Sequence, residues 1–270
     1  MRDDDLIPKS IDLSNYYTKS QVDALIKNQQ IISNSKSSTD INNNYSETIL
    51  DPITSSNVES WFTKYIYSNL DRFDHNISCG TRFTIQDGTY NVQWVVVGAD
   101  TELYKGDIKL IKPHLSLIPV TDLGNGVMND YSTTAGAYAD SKMNRQTIPA
   151  IVKALQSVLG DHLLARRVKL ANNIDSNGKS NASAYYTVYA NLLCERQIWG
   201  TSDFENSYDI GDDTTALPGF KNYKDDIYGS SGFWLRSVYI NSTFVSYRDR
   251  SVYGSDAAFS HGIRPLITIG

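Results

Sequence analysis

Three carboxylates fall within five residues in Asp209-Ile210-Gly211-Asp212-Asp213, a spacing that could hold a cation or supply an acid and a base to one bond. Asp225-Asp226 and Glu195-Arg196 are further charged pairs. None comes with the companions such chemistry needs. His75, His114, His162 and His261 form no i,i+4 pair and no HExxH motif. There is no GxSxG, no P-loop and no GxGxxG. Cys79 and Cys194 lack CxxC spacing and read as buried free thiols. Asp175, Asn177 and Gly178 begin like a calcium loop, but Lys179 and Asn181 stand at its later ligand positions, so the stretch reads as a turn. The acidic loop accordingly reads as solvated, and Glu195-Arg196 as a structural ion pair or a strand-end cap. The expectation is a chain that is not an enzyme, with no cofactor and no metal.

Binding chemistry is better represented. From Ile227 to Gly270 there is no Lys, Glu, Gln, Cys or Met. Tyr, Ser, Asn, Arg and Asp take their place. Stiff aromatic rings give contact area at low entropic cost, and small polar side chains supply adaptable hydrogen bonds. Tyr239, Asn241, Tyr247, Arg248, Asp249, Arg250, Tyr253 and His261 are the candidate ligand contacts, with Phe244, Val245 and Val252 as their scaffold.

Those residues need elements to hold them. "TRFTI" and "YNVQWVVVG" read as strands around an Asp87-Gly88 turn, and "HLSLIPV" as another strand. "TIPAIVKALQSVLG" reads as a helix, with Pro149 at its start and Gly160 at its stop. "RRVKLANN", "AYYTVYANLL", "GFWLRS", "TFVSYR" and "IRPLITI" complete the strands, so the body is α+β. Ahead of it, Val58, Trp61, Phe62, Tyr65, Ile66, Leu70 and Phe73 share one helical face, and Ser56 and Glu59 suggest a capping box. Residues 1–57 are rich in Ser, Asn, Asp and Thr and read as a stem and linker. Within them, Thr18 and Gln21 suggest a capping box for an amphipathic helix carrying Val22, Leu25, Ile26 and Ile32, with Gln29 on the same seam. An isolated helix that short is marginal in water. Its apolar stripe calls for a partner, either its own domain or identical helices of other chains.

The formal charge of -5, with no basic run longer than Arg166-Arg167, excludes a phosphate-binding patch. No apolar run reaches the roughly 20 residues of a membrane span, and no secretory h-region opens the chain. The expectation is synthesis in a cytoplasm.

Trp234-Leu235-Arg236-Ser237, a polar stretch, and Gly262-Ile263-Arg264-Pro265 resemble the C-terminal half of a C-type-lectin-like domain common in bacteriophage fibres and gut-bacterial proteins. "LLCERQIWG" (192–200) and "MNDYSTTAGAYADSKMNRQTIPAIVKAL" (128–155) resemble two further elements of that family, in order. Cys194 and Ile263 depart from its usual residues. "LSNYYTKSQVDALI" (13–26) resembles a short module of phage tail and head fibres, where it precedes or forms a trimeric helical stem; Gln21 replaces its usual Glu.

The resemblance implies a fold and a role. The fold is a C-type-lectin-like head of short antiparallel strands with two helices, behind an N-terminal helical stem. The expected division is 1–57 for anchor, trimeric stem and linker, 58–76 for a connecting helix and 77–270 for the head. Tyr17, Val22, Leu25, Ile26, Gln29 and Ile32 would form the trimer seam. Trp234, Arg236, Arg264 and Pro265 would be structural marks of the head. The implied function is a virion fibre that attaches the particle to a host-surface glycan or protein receptor. The alternative is a capsid-decorating head fibre or a baseplate component. Partners would be two further copies of the chain, other virion proteins at the N-terminus and the host receptor, with no nucleic acid and no membrane insertion.

Overall fold

Two runs of β-branched and aliphatic residues, Gln93–Ala99 and Leu115–Pro119, pair antiparallel at the centre of the molecule and are buried along almost their whole length. The structure is a computed structural model, and it describes residues 18–67, 72–221, 232–240, 243–248 and 251–270. Along the chain run α1 (Lys19–Ser33), β1 (Ser35–Lys36), α2 (Ser38–Asn43), α3 (Val58–Tyr65), β2 (Ile66–Tyr67), β3 (Arg72–Asp74), β4 (Arg82–Thr84), β5 (Gln93–Ala99), β6 (Leu115–Pro119) and β7 (Asn125–Val127). Then come α4 (Ile148–Leu159), β8 (Arg166–Ile174), β9 (Ser180–Val188), β10 (Ala190–Leu192), α5 (Glu195–Trp199) and α6 (Ser207–Ile210). The chain closes with β11 (Phe233–Ile240), β12 (Thr243–Arg248), β13 (Ser251–Asp256), β14 (Ser260–Gly262) and β15 (Pro265–Ile269).

One sheet has the order β10-β15-β6-β5-β4, with every pair antiparallel. A second runs β13-β12-β11-β14-β7, antiparallel except between β11 and β14. β8 and β9 form a separate hairpin. The fold is therefore α+β with mostly antiparallel sheets, as the sequence led us to expect.

Alternation along β5 sends Trp94 and Val96 to one face and Val95 and Val97 to the other. The first face joins Trp61 and Phe62 of α3 and Ile151 and Leu155 of α4 in the main core. The second joins Ile118, Ile198, Phe220, Phe233 and Leu235. α4 follows a π-helical turn, Met143–Thr147, and ends at Gly160, whose φ of 51° suits glycine.

The division of the chain differs from the expected one. It falls into Met1–Ser35, which contains α1, and Lys36–Gly270. The expected linker belongs to the second unit. Ile41, Leu50 and Ile53 are buried in the main core. Its polar composition conceals a helix start: Ser37 Oγ accepts from the Asp40 N–H at 3.2 Å while Asp40 Oδ2 accepts from the Ser37 N–H at 3.0 Å. The Asn42 amide then pairs with both backbone groups of Ala99, at 2.8 and 3.0 Å. The expected connecting helix is likewise shorter, because α3 turns into β2 at Ile66. Its capping box does not form. Asn57 is the N-cap, and its Oδ1 is taken by the Thr54 N–H at 2.8 Å. In α1 the expected box is present: Gln21 Oε1 accepts from the Thr18 N–H at 2.8 Å, and Thr18 Oγ1 from the Gln21 N–H at 3.3 Å. Tyr17 lies outside the described residues, as do Leu70 and Asp225-Asp226.

Both turn readings are borne out. Asp87 Oδ1 accepts from the Thr89 and Tyr90 N–H groups, each at 2.7 Å. Asp175 Oδ1 accepts from Asn177 and Lys179 at 2.9 and 3.0 Å, closing the β8–β9 hairpin. Among the described residues no helix is long and apolar enough to cross a membrane.

Candidate functional site

β11 organises the C-terminal region because its two faces carry different chemistry. Phe233 and Leu235 point into the second core, while Trp234 and Val238 point into the main one. Trp234 is fully buried, and its indole N–H donates to Gly126 O at 2.8 Å. Arg264 donates through Nε and Nη2 to Pro119 O at 3.0 and 2.7 Å, with its guanidinium over the Phe233 ring. Pro265 is buried at the start of β15, opposite Leu192. Arg236, like these side chains, is buried within the fold.

The proposed contact residues do not form one outward face. The Tyr239 ring lies against Gly254, where any added methyl group would overlap it, and meets Phe204 edge-on at 4.6 Å. Tyr239 and Val252 both pack against the second core. Residues 253 and 255 point the opposite way in a pleated strand. Tyr253 is half exposed there. Ser255 Oγ and His261 Nε2 are 2.6 Å apart, and His261 meets Trp234 edge-on at 4.5 Å. Tyr239 therefore stands on one side of the sheet, and Tyr253 with His261 on the other. His261 is engaged within the fold. Tyr247 and Arg248 are placed by register alone, Tyr247 opposite Phe233 and Val252, and Arg248 opposite Ser251. Asn241, Asp249 and Arg250 lie outside the described residues.

The acidic loop is not a solvated one. Asp209 and Asp213 are buried. Asp213 contacts Arg236 and Lys105, each at 3.0 Å, and Lys105 reaches on to Glu102 at 3.3 Å. Glu102 in turn lies 3.5 Å from Arg166. Burial works against the Asp213 charge, but Arg236 and Lys105 outweigh it and hold its carboxyl below the usual range. Burial raises the Asp209 carboxyl, although it accepts from Ser180 Oγ at 2.6 Å and from the Val238 N–H at 3.3 Å and Arg236 lies nearby. Asp212 accepts from the Tyr185 hydroxyl at 2.8 Å. The pattern Asp-x-x-Asp-Asp concealed this, because only the fold brings Arg236, Lys105 and Arg166 to it.

Beside Tyr239 an open cleft of about 240 Å³ is lined by Glu195, Trp199, Asp203, Phe204, Ser251 and Val252. Its wall is fixed by carboxylates acting as clamps. Glu195 accepts from the Asp203 and Phe204 N–H groups at 2.8 and 3.2 Å. Glu205 accepts from the first N–H groups of α5 and from the Ser237 hydroxyl. Burial raises the carboxyls of both Glu195 and Glu205. Glu195 thus braces the Asp203–Phe204 loop, which is neither of its two expected roles: it caps no strand end, and among the described residues no ion pair joins it to Arg196. The chemistry open to the cleft is ring stacking and hydrogen bonding. Trp199 was not among the residues selected from the sequence; its partial exposure, unusual for a tryptophan in this chain, is a property of the fold.

Among the described residues no group of three or more His, Cys, Asp or Glu could hold a metal ion. Burial raises the thiol pKa of Cys79 to about 12 and also raises that of Cys194, so both are unreactive free thiols. No protein-family model, curated protein or solved structure matches the chain.

Proposed function

We propose that this chain is a bacteriophage fibre protein that attaches the particle to its host, with a C-type-lectin-like head on a trimeric helical stem. The observation that carries the reading is the pairing of two resemblances in one chain: a fibre-stem module at 13–26 and the WLRS…GIRP head pattern at 234–265. The geometry is compatible at both ends. In α1, Leu25 and Ile26 are 51% and 52% exposed, a seam that identical helices would cover. In the head, Trp234, Arg236, Arg264 and Pro265 hold the interior and leave the β12–β13 edge for recognition. Three heads on one stem would multiply weak single contacts by about 10²–10⁴ in avidity.

The split between Tyr239 and Tyr253 supports recognition along the β13 edge, with Tyr253 on one side and the cleft beside Tyr239 on the other. Immunogold labelling of purified particles with antibodies against the full chain tests the assignment. Label at tail tips or fibre ends is the expected result. Label on capsid faces alone would favour the head-fibre alternative, and unlabelled particles would remove the virion assignment.

A further inference from the structure

We propose that the outer edge of β13 takes up an extended polypeptide as an added strand, and that the cleft at its start selects a Lys or Arg side chain of that strand. The inference rests on the reading of β13 as the recognition edge, and it names the chemistry of the partner.

The two five-stranded sheets have four outer edges. Three are covered or short. The chain at 48–53 covers β4: the Arg82 N–H donates to Thr48 O, and the Leu50 and Ile53 N–H groups donate to Arg82 O and Thr84 O, each at 2.8 Å. β7 and β10 have three residues each. β13 ends its sheet with six residues, and its register against β12 runs through all six without a shift. Edge strands are ordinarily guarded against added partners by Lys, Pro, a bulge or shortness. Ser-Val-Tyr-Gly-Ser-Asp has none of these guards, and its one charge, Asp256, stands at the far end and accepts from Ser132 Oγ at 2.9 Å. Alternate backbone groups of an edge strand point away from its neighbour, and an extended peptide completes that ladder.

The cleft supplies selection. Ser251 and Val252 line it together with Trp199, Asp203 and Phe204. Residues paired across two strands send their side chains to the same face. The residue of the added strand beside Val252 is therefore aimed over the cleft. Asp203 is exposed there, and its carboxylate joins no ion pair among the described residues. An indole and a carboxylate in one cleft fit a guanidinium or an ammonium, which stacks on the ring and pairs with the acid. The formal charge of -5 draws the same kind of partner. The loop needs little ordering, because Glu195 already holds the Asp203 and Phe204 N–H groups at 2.8 and 3.2 Å. A second copy of β13 is a poorer occupant. The strand carries no Lys or Arg, so pairing two such edges would leave both Asp203 carboxylates without a cation.

The test selects binders to the full chain from a library of acetylated, amidated heptapeptides of random sequence. The expected peptides share one Lys or Arg position within an alternating, β-branched pattern. N-methylation of one set of alternate peptide amides should abolish binding, while the other set, facing solvent, should leave it nearly unchanged. Binding should slow hydrogen exchange of the β13 amides. Asp203→Asn should weaken the selected peptide about tenfold, as should norleucine in place of its Lys or Arg. The two losses should not add. An unchanged thermal unfolding midpoint shows that the variant remains folded. No enriched sequence, an enriched set without a cation, or binding that tolerates both N-methylated sets overturns the proposal. Attachment fails separately. Purified chain that blocks particle adsorption while no peptide is enriched keeps attachment and overturns strand addition. Enriched peptides, with adsorption indifferent to the purified chain, keep strand addition and overturn attachment.

Discussion

Arg236 and Asp213 face each other at 3.0 Å with both side chains almost completely out of water. The pair ties β11 to the loop after α6, and Arg236 also donates to Asp209 O and Ile210 O at 3.2 and 2.7 Å. Through Lys105 and Glu102 the network continues to Arg166, the first residue of β8. Removing one partner leaves buried cations uncompensated, which costs about 3–5 kcal/mol. Asp213→Ala should lower unfolding stability by that amount in urea titration, and Asp212→Ala by less than about 1 kcal/mol. Equal losses would mean that the network does not carry the load assigned to it.

Gly254 and Tyr239 should behave as a coupled pair. A Cβ at position 254 meets the Tyr239 ring. Gly254→Ala should therefore cost about 1–3 kcal/mol through overpacking. Adding Tyr239→Ala should recover part of that loss, because the double variant removes the clash. Strict additivity in a double-mutant cycle would contradict the contact.

The two hairpin turns, α4 and most of the strands of the head were legible because each is set by local chemistry: Asp with Gly at a turn, Pro149 and Gly160 at helix ends, runs of Val and Ile between them. The segment 36–57 was not legible. Ile41, Leu50 and Ile53 are isolated apolar residues in a polar stretch, and only the long-range core shows why they are there. The same applies to the candidate site. Composition identified residues 239–261 as unusual, but composition has no sense of sides. The strand pleat and the contacts of Gly254 and Ser255 separate Tyr239 from Tyr253 and His261. Trp199 and the burial of Asp213 depend on partners far away in sequence, which no local pattern discloses.

His114 should make the fold sensitive to mild acid. Its side chain is fully buried, with Nε2 accepting from the Glu102 N–H at 3.0 Å and Nδ1 donating to Lys112 O at 2.9 Å, so the ring is neutral. Burial lowers its pKa, against the smaller opposing effects of Lys112 O, Asp100 and Glu102, while Arg166 adds to the lowering. A histidine depressed in the folded state contributes stability that is complete above its unfolded pKa, about 6.5, and is lost as pH falls below it. The loss approaches about 1.4 kcal/mol per pH unit for one proton. His114→Gln keeps an acceptor for the Glu102 N–H and should flatten this part of the curve. Parallel curves for the two proteins between pH 7 and about 5.5 would exclude His114 as the source.

The α1 seam gives a prediction about assembly. Leu25→Asp with Ile26→Asp places charges where identical helices would meet. Sedimentation equilibrium should give a mass three times the 30.2 kDa of one chain for the unaltered protein and one chain's mass for the variant, with the unfolding transition of 36–270 unchanged. A monomer before substitution would contradict a stem formed by α1.

Attachment itself is tested most directly by competition. Host cells are incubated with the purified full chain before phage particles that carry it are added, and the adsorption rate is measured. We predict that the rate falls with increasing protein, and that Tyr253→Ala combined with Trp199→Ala restores it. Adsorption that stays constant at every protein concentration, with no protein retained on the cells, would contradict the account.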